Sequence, residues 1–335
     1  MPVPTSRRRR AAGCLLATTT ALVLSACGSG SSTSDASASP PPTSGAPVGS
    51  LSRYDLSGLE LSVGSDNYTE QLVLGNLAVQ ALEAAGAEVD EQIGLAGTTV
   101  VREALLNDDI DAYWEYTGTA WISFLDETQP LADPVEQYDA VAAKDLSENG
   151  IRWFAATPFN NTYQIAVREE AAAELGVTKL SDLGTLLRDR PDEATICVGP
   201  EFSQRDDGLP GMQKAYGYAF PEESVQVLDD GVIYDQVDKG DSCNFGVVFA
   251  TDGRIEALGL TTLEDDQAFF PSYNAAVVVH DELATSRPAL AELFGALAAK
   301  LDTATMRGLN AQVDVDGEEP ETVAEDWLKA NGFTT

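Results

Sequence analysis

The sequence predicts a two-lobed α/β protein whose chain passes from one sheet to a second and then returns. Three observations carry this expectation. Short strand-like runs alternate with helical ones from about residue 58 onward, the pattern of α/β layers around a mostly parallel sheet. Two breaker-rich segments, 157–161 and 269–273, interrupt the alternation, as crossovers between lobes would. At 335 residues, two domains are expected.

The elements follow in order. Leu59, Leu61 and Val63 alternate with polar residues and stop at Gly64 and Ser65, which reads as a strand. Asn67 and Glu70 then have capping-box spacing ahead of a helical pattern through Leu72, Leu77, Ala81 and Leu82. A strand over 88–93, a helix over 99–107, a strand over 110–113, a helix over 134–148 and a strand over 151–155 complete the first series. Past the first break, strands are expected at 163–167, 195–198, 225–228 and 244–249, separated by helical patterns. After the second break come one strand, 275–280, and three helical patterns. If that last portion returns to the first lobe, residues 55–160 plus 272–335 form one lobe and 161–271 the other, with a cleft between them. No internal repeat is visible.

The N-terminal 26 residues read as an export signal. Arg7 to Arg10 are its positive region, and the apolar stretch 11–24 is too short to span a bilayer. Leu24-Ser25-Ala26-Cys27 is a lipobox, which would make a lipidated Cys27 the first mature residue. Two acyl chains there suffice for stable anchoring where one is marginal. The run of arginines leaves a twin-arginine route open beside the general one. Residues 27–54 then form the lipidated cysteine and a flexible tether, because Ser, Gly, Pro, Ala and Thr bury too little surface to offset ordering entropy. The expected location is extracytoplasmic, anchored to the cell membrane through Cys27. No later stretch approaches 18 uninterrupted apolar residues.

Composition excludes several functions. The formal charge is −34, and loss of the signal, with four Arg and no acid, leaves about −38. Nucleic acids and anionic lipid surfaces are therefore poor partners, whereas a weak attraction for cationic solutes follows. His280 is the one histidine and ends an apolar strand run, so histidine-based catalysis or a histidine-rich metal site has no material. Neither phosphate-cradling glycine motif is present. No cofactor or metal is expected. Among 54 acids a carboxylate pair suited to glycoside hydrolysis stays open as an alternative. Cys197 and Cys243 remain once Cys14 and Cys27 are set aside. In an oxidising compartment they are a natural disulfide, with two separate buried thiols as the alternative.

Six strings occur in order over about residues 55–335: VGSDNYTEQLVLGNL (63–77), IDAYWEYTGTAW (110–121), NNTYQIAV (160–167), EFSQRDDGLPGM (201–212), FATDGRI (249–255) and FFPSYNAAVVV (269–279). Together they closely resemble the glycine betaine/choline-binding proteins of ABC-type osmoprotectant importers. The resemblance implies a type II periplasmic-binding-protein fold closing on a quaternary-ammonium compound. It also implies an ABC permease and its ATPase as partners, a monomer, and no enzymatic activity. A ligand-sensing receptor of the same fold is the alternative role.

The resemblance further implies an aromatic cage of Tyr116, Tyr163, Phe249 and Tyr273. A trialkylammonium group has no N–H to donate, but the negative faces of several rings can surround its charge. By the same route Thr119 is expected to offer a hydroxyl, and Arg205 a guanidinium fork for a ligand carboxylate. An ion pair of Arg205 with Glu201, Asp206 or Asp207 is the alternative. Asp66 stands where the family usually has lysine, which counts against a carboxylate-bearing ligand and favours choline over glycine betaine. Capping the helix that begins near Tyr68 is the other use for Asp66.

Overall fold

The computed structural model describes residues 50–127, 131 and 133–335, so the expected export signal, Cys27 and nearly all of the tether lie outside the described residues. With strands numbered in chain order, the first sheet runs β2 (Glu88–Leu95), β1 (Glu60–Asp66), β3 (Ala112–Tyr116), β10 (Ala275–His280), β4 (Ile151–Trp153). The second runs β7 (Val225–Val227), β6 (Ile196–Val198), β8 (Phe245–Phe249), β5 (Tyr163–Arg168), β9 (Leu260–Thr262). Each sheet carries its own helices, giving two α/β lobes.

Both sheets are mixed, which corrects the expectation of mostly parallel ones. β1 is parallel to β2 and β3, and β6 to β7 and β8. β10, however, is antiparallel to β3 and β4, and β5 to β8 and β9. The reversed strands are the ones entered from the crossovers. β1 and β3 end at the cleft, so a chain arriving there from the other lobe must run the opposite way. β10 also occupies an interior position, and its apolar run is buried from Ala275 to Val279, as a strand covered on both faces requires.

The crossovers lie side by side. Asn161 N donates to Tyr273 O at 3.0 Å, and Tyr273 N to Asn160 Oδ1 at 2.7 Å. Asn274 Nδ2 reaches back to the carbonyls of Thr157 and Phe159 at 3.2 and 2.8 Å. The breaker-rich segments thus run as two crossovers hydrogen-bonded to each other.

In the first lobe the helix Pro134–Asn149 starts as its sequence dictates. Asp133 accepts from Val135 N and Glu136 N, Pro134 takes the first position, and Gly150 closes the helix at φ 69°. A fully buried ion pair joins it to the helix Thr98–Leu106: Arg102 Nη1 donates to Asp145 Oδ2 at 3.0 Å, and Trp153 Nε1 reaches the same oxygen at 2.8 Å. The capping box at the helix Thr69–Ala84 does not form. Tyr68 is its N-cap and gives no side-chain bond, while Glu70 turns inward and is buried among donors from elsewhere. After β10 there are four described helices rather than three: Asp281–Ser286, Ala289–Ala298, Thr303–Asp314 and Pro320–Ala330. The last two pack on Thr69–Ala84. β9 had no counterpart in the sequence reading. In the second lobe Cys197, on β6, and Cys243, two residues before β8, form a buried disulfide with Cα atoms 5.7 Å apart.

Candidate functional site

A cavity of about 260 Å³ lies where the strand ends of both sheets meet the crossovers. From the first lobe, β1 delivers Asp66 and then Tyr68, while β3 ends in Tyr116 with Thr119 one turn on. From the second, Tyr163 opens β5 directly opposite Phe249 at the end of β8. Tyr273 comes from the returning crossover. All seven residues expected at the site line this one cavity.

The rings touch across lobe boundaries. Tyr68 stacks on Phe249, centroids 5.8 Å apart and planes 9° apart. Tyr163 meets Phe249 at 5.4 Å, Tyr273 edge-on at 5.3 Å and Phe202 at 4.9 Å. Burial drives the phenols of Tyr68, Tyr116, Tyr163 and Tyr273 above their ordinary range, so all four are neutral at physiological pH. Tyr116 Oη donates to Glu70 Oε1 at 2.7 Å. Glu70 also accepts from Asn310 Nδ2 at 2.9 Å and from the hydroxyl of Thr251, just past β8. Tyr273 Oη donates to Asp207 Oδ2 at 2.5 Å.

Arg205 makes the ion pair with Glu201 and Asp207 that stood as the alternative to a ligand contact. Its Nε and Nη2 fork onto Asp207 at 2.8 and 2.7 Å, and Nη1 reaches Glu201 Oε2 at 3.3 Å. The edge reserved for a ligand carboxylate is thus already filled. The guanidinium instead lies 5.9 Å over the Tyr163 ring and, through Asp207, braces Tyr273. Asp66 does not cap the helix that begins at Thr69. It accepts from Asn67 N at 2.7 Å, Gly97 N at 3.1 Å and Thr98 Oγ1 at 3.0 Å, fixing the turn into the helix Thr98–Leu106.

The cavity wall is strongly acidic. Among the described residues it holds Asp66, Glu115, Glu201, Asp229 and Asp230 against one cationic side chain, Arg205. Burial raises the Asp66 carboxyl, pushes Glu115 up to about 7, and, with Asp229, Glu201 and Asp66 nearby, pushes Asp230 up to about 6. Such a wall repels anions and stabilises a cation. Among the described residues no cluster suited to a metal ion occurs, and no helix is long and apolar enough to cross a membrane.

Sequence reasoning missed Tyr68 and Phe202 as cavity residues, named Asp207 only as an alternative partner of Arg205, and read Glu70 as part of a cap. Tyr68, Phe202 and Asp207 sit inside the quoted strings, at loops after strands, where an aromatic or acidic side chain was available to face the cleft. Glu70 gave no such signal, because its spacing from Asn67 imitates a cap.

Residues 60–330 match the family of substrate-binding domains of ABC-type glycine betaine transport systems. The glycine-betaine-binding protein of Pseudomonas aeruginosa is 36% identical over 274 residues, which cover 80% of this chain and 87% of that protein. The apo structure of YehZ from Escherichia coli superposes with a TM-score of 0.62 at 34% identity, covering 82% of this chain and 99% of that one. The crystal structure of a glycine betaine/carnitine/choline ABC transporter gives 0.66 at 27% identity, with 81% and 98% covered. The matched family is one of substrate-binding domains of transport systems, in agreement with the expectation that the chain is not an enzyme, and the structural matches agree with the fold expected. The chain belongs to the family of substrate-binding domains of ABC-type glycine betaine transport systems.

Proposed function

We propose that this chain captures a quaternary-ammonium compound outside the cytoplasm and delivers it to an ABC permease powered by its ATPase. The observation that carries the reading is the set of rings from both lobes and a crossover, Tyr68, Tyr116, Tyr163, Phe249 and Tyr273, around one acidic cavity. A trimethylammonium head gains roughly 0.5 to 2 kcal/mol from each well-placed ring face, and the surrounding carboxylates complement its charge. Thr119 supplies a hydroxyl to the ligand's polar part. Arg205 serves as a positioning residue through Asp207 and Tyr273.

Because the rings come from both lobes, only the closed arrangement presents all of them, and that difference in affinity is what drives closure. The closed form then docks on the permease as a monomer. Lipidated Cys27 and the tether through residue 54 would hold the protein near the membrane.

Calorimetric titration with choline and glycine betaine tests the cage. Tyr116→Ala, Tyr163→Ala and Tyr273→Ala should each weaken binding at least about tenfold, or ~1.4 kcal/mol. Unchanged affinity in two of the three would overturn the assignment.

A further inference from the structure

We infer that Asp230 reads the arm of the bound cation, selecting a ligand whose second end is a hydrogen-bond donor, a hydroxyl or an N–H group, over one that ends in a carboxylate. The inference rests on the quaternary-ammonium reading and deepens it.

The wall carboxylates differ in how far their oxygens are already engaged. Asp66 accepts three hydrogen bonds. Glu115 accepts from Tyr113 Oη and Tyr116 N, both at 2.6 Å. Glu201 accepts from Thr98 N and Arg205 Nη1, both at 3.3 Å. Asp229 accepts from Gly231 N at 3.1 Å. Asp230 alone among these five accepts none from any described residue, although it is half-buried and lines the same cavity as the rings. Its acceptor sites are therefore open to a donor on the ligand, and closure of the lobes over the cavity would leave them without water unless the ligand supplies one.

Its placement is built in. Asp230 is the first residue of the helix Asp230–Lys239, and its carboxylate lies against Gly199, just beyond β6. A Cβ at position 199 would stand 1.8 Å from Asp230 Oδ1, so glycine there makes room for the group. A carboxylate-ending ligand meets the opposite situation. Among the described residues Arg205 is the one cation lining the cavity, and Asp207 already occupies its fork. Such a ligand would bring a third negative charge beside Asp230 and Glu201. Asp66, which the sequence singled out for this selection, already accepts from Asn67 N and from the 97–98 turn.

Calorimetry with choline, glycine betaine and tetramethylammonium at pH 8 and fixed ionic strength tests this. Wild type should bind choline more tightly than glycine betaine. Asp230→Asn should reduce the choline-to-glycine-betaine affinity ratio at least threefold, and Gly199→Ala, which displaces the carboxylate without removing it, should reduce it in the same direction. Asp235→Asn removes equal charge from an exposed position on the same helix and should change the ratio less than threefold. Preference for glycine betaine in wild type, a smaller change in both the Asp230 and Gly199 variants, or an equal change in the Asp235 variant overturns the inference while leaving the cage intact. Failure of all three probes to bind wild type overturns the quaternary-ammonium reading, and this inference with it.

Discussion

The two lobes share one strand order but are held together differently. In each, a central pair of parallel neighbours flanks the strand that feeds the cleft, and an antiparallel strand enters from a crossover. The first sheet has long members, with seven residues in β1 and eight in β2, and it gains four helices after β10. In the second, β6, β7 and β9 are three residues each. Short ladders give little cooperative pairing, and here a disulfide links β6 to the entry of β8. The first lobe instead spends a buried charge pair, Arg102 with Asp145, on joining two helices. Equal topology therefore does not imply equal means of stabilisation.

The comparison can be broken first at the ion pair. Asp145→Ala should cost about 3 to 5 kcal/mol in denaturant unfolding, since it strands Arg102 in the core and takes a partner from Trp153. A loss under about 1 kcal/mol would show that the first lobe depends on its apolar packing alone.

The disulfide comes next. Replacing Cys197 and Cys243 by Ser removes a link across 46 residues of sequence, worth up to ~4 kcal/mol in the chain-entropy picture. Hydrogen exchange should show faster opening in β6 and β8 with β1 and β3 little changed. Uniform acceleration across both sheets would mean that the lobes unfold as one unit.

A third measurement concerns Glu115, buried on β3. Burial raises its carboxyl to about 7 from an ordinary value of 4.5. A raised folded-state value means that the unfolded chain ionises first as pH increases, so this group lowers stability progressively from about pH 4.5 to 7 and no further beyond. The accumulated loss is on the order of 3 kcal/mol, and Glu115→Gln should flatten that part of the stability-versus-pH curve. An unchanged slope would place the proton elsewhere.

The smallest effect is expected at Phe249. Phe249→Tyr keeps the ring face that stacks on Tyr68 and should leave ligand affinity within about twofold. A larger loss would show that the edge of this ring, rather than its face, meets the ligand.

Much of the architecture was legible in the sequence because it is written in period and punctuation. The run 275–280 read as a strand, the stretch from Pro134 as a helix, and the Asn-rich break before Tyr163 as a change of lobe. The cleft-lining rings were legible through the motif resemblance. What could not be read was which polar atoms find each other across the cleft. Asn67 and Glu70 have the spacing of a cap, yet Glu70 is drawn inward by Tyr116, Thr251 and Asn310, residues up to 240 positions away. For Arg205 two uses stayed open, a ligand carboxylate or a neighbouring acid, because Asp207, two residues on, could equally have faced solvent. Strand direction failed for a related reason: the path of a crossover is a property of the whole chain.

The acidic wall also has a bearing on how quickly the protein finds its ligand. Five carboxylates at the cavity, on a chain of formal charge −34, set up a field that draws small cations inward before any ring is touched. Encounter is therefore the step most exposed to screening: with a Debye length of about 8 Å at physiological ionic strength, added salt slows arrival. Residence depends instead on contacts inside the closed cavity, where screening is weak. Capture and retention of a cation are thus governed by separate parts of the molecule, the outer field by its surface acids and the dwell time by its rings.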